Sequence, residues 1–283
     1  MKGRLCGQSL TAAAAAVALL AISVGAQGQA QTGRQGASVP TPRTANGHPD
    51  LSGMWGGFGG GPFGGNPVDL TKDVTITLNA RDGSPENFER DSGLRQRMDP
   101  NKPIYKPEFW DKVQELDING NNTDPTFSCM PAGVPRMGAP QKILQTPTEA
   151  IFLYAARNVY RIIPIDGRGH DPIGSQDQTW MGDPVGRWDG ETLVVETIGF
   201  NDVSWLDWPG YFHSTDMKVT ERFTREGNSL RYQVTVEDPT VLMKPWVRNP
   251  QVIQLNTNPN AMLIEDLPCD ERDREHQVTK ERG

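Results

Sequence analysis

The stretch that decides the fold is TWMGDPVGRWDGETLVVETIGF, residues 179–200. Two runs rich in β-branched and aromatic residues, 179–188 and 192–200, flank the pair Asp189-Gly190. Asp-Gly pairs favour two-residue type I′ turns, in which both central residues need positive φ. The stretch therefore predicts an antiparallel β-hairpin.

Similar short runs, separated by turn residues, continue on both sides of this hairpin. They predict strands at 142–145, 150–163, 217–225, 229–237, 251–256 and 261–266. Tight turns are predicted around Pro147, at 226–228 and at 258–260. Such a succession predicts a mainly β fold, an antiparallel up-and-down meander that closes into a barrel or a sandwich.

The part of the chain before residue 141 is less regular. A short strand is predicted at 51–55, followed by a glycine-rich run at 56–65 that is typical of a loop. Alternating residues at 74–78 predict another strand, and the spaced apolar residues at 107–117 predict a short amphipathic helix that begins at a proline. The fold class is thus mainly β with a short helix and an irregular N-terminal part.

Residues 1–26 have the features of a cleavable secretory signal peptide. Two basic residues, Lys2 and Arg4, precede an apolar run at 10–24, and small residues follow it up to Ala26. The run is too short for a comfortable membrane span, and no second one follows. We therefore expect a periplasmic or secreted protein without a membrane span. A flexible leader at 27–47 and a single β-rich domain at 48–283 would follow the signal peptide.

Charge and cysteine content narrow the function classes. Without residues 1–26 the chain has 26 basic and 35 acidic residues, a net charge of −9, which argues against nucleic acid as a partner. Cys129 and Cys269 are then its two cysteines, and an even number in an oxidising compartment favours a disulfide. In the chain-entropy model, closing so long a loop would stabilise the fold by about 4–5 kcal/mol. A buried pair of free thiols is the alternative.

In an up-and-down meander, the connections between strands alternate between the two ends of the sheet. Because successive strands run in opposite directions, every second connection lies at the same end. The tight turns then share one end, and the long connections at 166–178, 201–216 and 238–250 share the other. Both Cys129 and Cys269 fall at the long-loop end as well. This end is the predicted mouth of a binding site.

Two histidines in the long loops are the candidate catalytic groups. His213 is the first candidate for a general base and His170 the second, with a carboxylate such as Asp207 to orient the imidazole. Imidazole titrates near neutral pH, which suits proton transfer. A purely structural role for either histidine is the alternative. The same groups could hold a divalent metal, but no HExxH or HxH pair occurs, so the metal stays unknown and no cofactor is predicted.

Further side chains of these loops are candidates for contacting a small-molecule substrate. They are Asp202, Trp205, Trp208, Tyr211, Lys244 and Trp246. Tryptophans in loops stack on sugar or aromatic rings, although they also cover the ends of barrels. The second long loop contains Ser204 and Ser214, but no GxSxG motif supports a serine nucleophile.

Several short motifs of the chain carry a resemblance to one protein family. They are Asp124-Pro125, CMPAGVPR at 129–136, DGRGH at 166–170, GRWDGETLVVET at 186–197, GFND at 199–202, Leu206-Asp207, His213-Ser214, Asp238-Pro239 and Lys244-Pro245-Trp246. Together they resemble a large family of uncharacterised exported bacterial proteins with many paralogous copies. The likeness covers about 51–269 and implies no established reaction. Gly53-Met54-Trp55 is similar to the start of lipocalins, which implies a lipocalin-like barrel that holds a small apolar ligand.

Three functional hypotheses follow. The leading one is an exported enzyme of lyase or hydrolase type, in which His213, His170 and Asp207 transfer protons on an aromatic or glycosidic substrate. The alternative is a lipocalin-like periplasmic binding protein for a small hydrophobic or glycosidic ligand, and the third is a surface interaction module. Both histidines in one shared pocket would favour the enzyme, and a deep apolar barrel would favour the binding protein.

Overall fold

The computed structural model describes residues 39–56, 100–172 and 176–264. The predicted signal peptide at 1–26, the strand at 74–78 and Cys269 lie outside these ranges. Most residues of the predicted leader and of the glycine-rich run also lie outside these ranges. Within the described ranges, no helix is long and apolar enough to cross a membrane.

A first antiparallel sheet contains four strands. They are β1 (Gly53–Met54), β2 (Lys142–Gln145), β3 (Glu149–Leu153) and β4 (Tyr160–Pro164), paired in that order. The side chains at alternate positions of β2 to β4 are buried, among them Ile143, Phe152 and Ile163. This period of two places one face of the sheet on the core.

A second antiparallel sheet contains six strands, and a separate pair of short strands lies between its members in the sequence. The sheet consists of β5 (Asp183–Asp189), β6 (Thr192–Ile198), β9 (Lys218–Glu226), β10 (Ser229–Glu237), β11 (Trp246–Val247) and β12 (Gln251–Gln254), and the separate pair is β7 (Trp205–Asp207) with β8 (Tyr211–Phe212). The predicted hairpin is confirmed, but its turn lies one residue later than predicted. Asp189 pairs with Thr192, so Gly190 and Glu191 are the central residues, and of the two only Gly190 has a positive φ, 59°, which does not fit the predicted type I′ turn. The order of the main path is β11, β10, β9, β6, β5, and β12 also pairs with β10.

Helical segments precede the first long strand. A 3-10 turn (Pro107–Phe109) continues into α1 (Trp110–Ile118), where the sequence predicts a helix, and α2 (Gly120–Thr123) and a second 3-10 turn (Pro125–Ser128) follow. Phe109 contacts the ring of Phe212 edge to face, and the Lys112 ammonium lies 3.9 Å from the centre of that ring. The helical segments therefore pack on β8.

The two sheets meet at two places without closing a barrel. Trp55, just after β1, forms an isolated bridge with Leu255, just after β12. On the other side β4 lies against β5, where a Cβ on Gly186 would come within 2.7 Å of the Ile165 side chain. No ladder of hydrogen bonds joins β4 to β5 in the described part of the chain. The fold is mainly β with antiparallel sheets, and residues 39–56, 100–172 and 176–264 do not form the predicted closed barrel.

One predicted strand, 150–163, is divided in the structure into β3 and β4. A 3-10 turn (Ala156–Asn158) separates them, with positive φ at Arg157 and Asn158. The additional turn places the end of β4 at the opposite end of the sheets from the one predicted. The connection after β4 corrects this difference before β5 begins. Ile165 donates to Thr148 next to the β2–β3 turn, whereas His170 already contacts Asp183 at the start of β5. This connection therefore carries the chain from one end of the sheets to the other.

The tight turns still share one end, which we call the turn end. Thr192 pairs with Thr224, so the turn before β6 and the turn after β9, at Gly227, lie at the same end of the second sheet. Pro147 and Trp188 line one small cleft there, together with His48. The opposite end, where β6 ends and β9 begins, holds the long connections and is called the loop end. The predicted strand at 261–266 is not formed over residues 261–264, and its remainder lies outside the described residues.

The core between the sheets combines aromatic rings with a buried ion pair. Phe223 contacts Phe152 and Tyr232, with ring centres 4.9 and 5.0 Å apart. Beside them, the Arg161 guanidinium lies 2.6 Å from the Glu221 carboxylate, and both side chains are almost fully buried. Side chains thus fill the space in which the lipocalin resemblance would place a ligand.

Candidate functional site

His213 lies directly after β8 and is buried, with 2% of its surface exposed. Its Nε2 is 2.8 Å from the Ser204 hydroxyl oxygen, and its Nδ1 is 2.9 Å from the Ser214 carbonyl oxygen. Because a carbonyl only accepts, Nδ1 donates and Nε2 accepts the hydroxyl proton of Ser204. The pair therefore has the geometry of a hydroxyl nucleophile beside a neutral base.

Asp238 holds the backbone that follows His213. Its carboxylate accepts from the Ser214 backbone N–H at 2.7 Å and from the Ser214 hydroxyl at 2.8 Å. Burial lowers the pKa of His213, while the Ser214 carbonyl and the charge of Asp238 act in the opposite direction. Burial has the largest effect, so the imidazole is held in its neutral form.

The hydroxyl of Ser204 is covered by another part of the chain. Ser204 has no exposed surface, and a Cβ on Gly133 would lie 2.7 Å from its hydroxyl oxygen. Gly133 belongs to the segment 129–136, where Arg136 forms an ion pair of 2.6 Å with the buried Asp124. The nucleophile-like pair is therefore sealed from solvent in this structure.

His170 occupies a different environment at the loop end. Its Nδ1 lies 3.1 Å from Asp183, and its Nε2 lies 3.5 Å from Glu196. The Lys218 ammonium lies 3.8 Å from the Glu196 carboxylate and 3.2 Å from the Glu237 carboxylate. These contacts form a row of charged side chains along the loop end of the second sheet. Each ring nitrogen of His170 therefore faces a carboxylate, and the histidine attaches the connection after β4 to the second sheet.

Asp207 is engaged by an arginine from a later loop. One of its carboxylate oxygens lies 2.6 Å from the Arg248 guanidinium, and the other accepts from the backbone N–H of Trp208 at 2.9 Å. The structure thus gives the three residues predicted to be catalytic three separate sets of partners and does not bring them together. Asp202 is exposed, and its charge tends to raise the pKa of His213.

Most of the aromatic residues predicted to contact substrate serve packing. Trp205 and Tyr211 are buried, and Arg136 lies 5.6 Å from the centre of the Trp205 ring. Trp208 packs on Gly120, where a Cβ would approach its ring to 2.7 Å. These contacts attach the helical segments and the 129–136 segment to the loop end, which is the alternative role that loop tryptophans can have.

Lys244 and Trp246 do line a cleft. It measures about 250 Å³, and we call it the rim cleft; its walls are Pro100, Asn101, Lys102, Ile104, Lys244, Pro245, Trp246 and Val247. Lys244 is exposed, whereas Trp246 is 7% exposed and donates its indole N–H to the backbone and side-chain oxygens of Asn101 at 3.3 and 3.2 Å. The guanidinium of Arg248, which forms an ion pair with Asp207, lies 5.5 Å from the centre of the Trp246 ring. These contacts fix the orientation of the indole.

Comparisons with known proteins find no match. This holds for family models, for curated proteins and for solved structures. The resemblance to exported bacterial proteins therefore stays a prediction, and the site has to be judged on its own chemistry.

Two further predictions can be compared with the structure. The described residues contain no group of three or more His, Cys, Asp or Glu side chains that could hold a metal ion. Cys129 ends the second 3-10 turn with a φ of 65°, but Cys269 is outside the described residues, so the disulfide stays a prediction.

Sequence reasoning missed three functional features. It did not pair Ser204 with His213, did not connect Asp238 to Ser214, and did not place residues 100–104 beside Lys244 and Trp246. The first two were accessible in principle, because Ser204 and Ser214 lie in the same long connection as His213 and Asp238 begins the next long connection at the same predicted end. The third was not, because only the fold brings Asn101 next to Trp246.

Proposed function

We propose that this protein is an exported binding protein for a small organic anion, and that the rim cleft holds the ligand. The observation that carries the proposal is the combination of an exposed lysine with an indole in one cleft, from Lys244 and Trp246. Export remains part of the proposal and rests on residues 1–26. The hypothesis of a lipocalin-like carrier is thereby modified, because the ligand lies at the rim rather than inside a barrel.

The walls of the rim cleft suit a ligand with one acidic group and one apolar ring. Lys244 supplies a positive charge to a protein whose net charge is negative. Ile104 and Val247 expose 45% and 49% of their surface, and the indole of Trp246, of which 7% is exposed, lies beside them in a fixed orientation. Pockets for small molecules combine such apolar walls with a few fixed polar groups. The small volume favours a single ring rather than a disaccharide.

Replacing Lys244 by Gln is expected to weaken binding of benzoate and phenyl phosphate about fivefold, which corresponds to about 1 kcal/mol for a partly exposed charge pair. Binding of benzamide, which has the same ring without a charge, is expected to be weaker than that of benzoate and unchanged by the substitution. Isothermal titration calorimetry of the purified protein measures both, with methyl glucoside and glucuronate added to test the glycosidic alternative.

The matched control is Arg231→Gln, which removes one exposed positive charge from β10 at a residue that does not line the rim cleft. It is expected to leave all affinities unchanged. Equal affinity of the wild-type protein for benzoate and benzamide would contradict the proposal, and so would equal loss of benzoate binding in both variants.

One observation favours a second candidate function, a serine hydrolase. The Ser204 hydroxyl donates to Nε2 of His213, and the opposite ring nitrogen is oriented by a carbonyl. In such a reaction the Ser204 oxygen bonds to the carbonyl carbon of an ester, and its proton passes to Nε2 and then to the leaving alcohol. Water subsequently cleaves the acyl-enzyme and regenerates Ser204. The cover formed by Gly133 would have to move first.

A fluorophosphonate probe distinguishes the two candidates, because it modifies only an activated and accessible serine hydroxyl. The binding proposal predicts no modification of Ser204 in the folded protein, as measured by mass spectrometry of peptides. Labelling of the wild-type protein at Ser204, absent from His213→Gln and present in a Ser214→Ala control, would establish the hydrolase instead.

A further inference from the structure

The first sheet has an outer face that is mostly apolar. Five of its side chains point away from the core and form what we call the apolar sheet face: Leu144, Ile151, Leu153, Tyr160 and Ile162. Tyr160, Ile162 and Leu144 expose 63%, 48% and 42% of their surface. Antiparallel sheets with one face in water normally place polar residues there.

The strand register makes this face continuous. Leu144 lies opposite Ile151, and Ile151 lies opposite Ile162, so three apolar side chains form one row across β2, β3 and β4. Leu153 and Tyr160 form the adjacent row. Directly opposite side chains on neighbouring strands are in contact distance of each other. The five residues are therefore one patch rather than isolated exposed groups.

The second sheet provides an internal comparison. The outward positions of β9 and β10 are all polar or charged: Lys218, Thr220, Arg222, Thr224, Glu226, Ser229, Arg231, Gln233, Thr235 and Glu237. Both sheets bury their inner residues in the same alternating manner. The apolar sheet face therefore differs from the outer face of β9 and β10, and contiguous apolar patches mark interaction sites.

Two opposite charges flank the apolar sheet face at its two ends. Lys142 lies in the row of Leu153 and Tyr160, whereas Glu149 lies opposite Pro164 beyond the row of Ile151. A two-fold axis that lies between two facing copies, parallel to their sheets and across the strands near Leu144 and Ile151, would place Lys142 of one copy over Glu149 of the other, twice. An interface with two-fold symmetry uses the same patch on both subunits, so a patch with this charge arrangement is complementary to itself.

We propose that the apolar sheet face is a homodimer interface, in which two copies pack these faces together around that axis. Sheets that pack face to face lie about 10 Å apart and interdigitate their side chains. The patch is small, so a dimer with a dissociation constant in the micromolar range is expected. The two Lys142–Glu149 pairs fix its orientation.

Sedimentation velocity of the purified protein over the micromolar range tests this interface. Wild type is expected to pass from monomer to dimer. The variants Lys142→Glu and Glu149→Lys should each raise the dissociation constant at least tenfold, because each homodimer would oppose two pairs of like charges. An equimolar mixture of the two variants should dimerise again, since every pair in the heterodimer is then opposite in sign.

The recovery of dimerisation in the mixture is the decisive result, because neither misfolding nor nonspecific association of the variants would produce it. Thr220→Glu adds one negative charge to the outer face of β9 in the second sheet and should leave dimerisation as it is in wild type. A wild-type protein that is monomeric throughout the concentration range would overturn the proposal. A mixture that associates no better than either variant alone would overturn it as well.

Discussion

Replacing Arg161 by Met should reduce the free energy of unfolding by about 3–5 kcal/mol. Arg161 pairs with Glu221 at 2.6 Å and donates to the hydroxyl oxygens of Thr197 at 3.0 Å and Tyr154 at 3.3 Å. The Tyr232 hydroxyl donates to the same Glu221 carboxylate at 2.9 Å. Without the guanidinium, a carboxylate would remain buried among aromatic rings with no cation beside it. Urea unfolding followed by circular dichroism measures the loss.

Two comparisons show whether the cost comes from an unpaired buried charge. The double variant Arg161→Met with Glu221→Leu should recover at least half of the lost stability, because no charge is then left in the core. Arg222→Met breaks an exposed ion pair with Asp189 within the second sheet, which is 2.7 Å long, and should cost less than about 1 kcal/mol. If Arg161→Met were no more destabilising than Arg222→Met, the ion pair would not be organising the core.

Trp55→Ala should cost about 3–5 kcal/mol, the range for deleting a large buried aromatic side chain. Trp55 is 2% exposed and donates its indole N–H to the Leu51 carbonyl at 2.8 Å. The Arg225 guanidinium lies 5.1 Å from the ring centre and donates to the carbonyls of Gly227, at 2.8 Å, and Asp50, at 2.5 Å. The indole and the guanidinium thus tie the first described strand to the β9–β10 turn.

Chemical unfolding of two further variants separates the contributions to the Trp55 effect. Trp55→Phe keeps much of the ring but loses the N–H, so an intermediate loss of about 1–2 kcal/mol is expected. Trp110→Ala removes a tryptophan that is 56% exposed on α1 and should change the stability by less than about 1 kcal/mol. Equal effects of Trp55→Ala and Trp110→Ala would show that Trp55 does not hold the two sheets together.

Local signals in the sequence account for most of the strands. Gly190 marks its hairpin correctly, because the turn needs a positive φ there that glycine adopts without strain, although the turn consists of Gly190 and Glu191 rather than Asp189 and Gly190. The turn between β3 and β4 was missed because no local sequence signal marks it. It contains neither glycine nor proline, and Arg157 and Asn158 adopt positive φ between two runs that both have β-type composition. Tertiary contacts decide that turn, including the bond from Arg157 to the Thr126 carbonyl at 2.7 Å.

The site was predictable only in part, because its geometry depends on contacts between distant segments. Lys244 and Trp246 could be proposed from their place in a long loop. Asp207 could not be assigned to Arg248, which follows it by 41 residues. His213 was expected to be an accessible base, whereas the β7–β8 pair turns it inward onto Ser204. The ring position of a loop histidine depends on such packing, and residue type alone does not determine it.

The measurement that tests the rim cleft most directly is a titration of nitrogen-15-labelled protein with benzoate, followed at the indole N–H resonances of its seven tryptophans. The Trp246 resonance is assigned with Trp246→Phe. We predict that it shifts in a saturable manner, while the resonances of the buried Trp55 and Trp205 keep their positions. An unchanged Trp246 resonance at benzoate concentrations that saturate binding in calorimetry would contradict the proposed site.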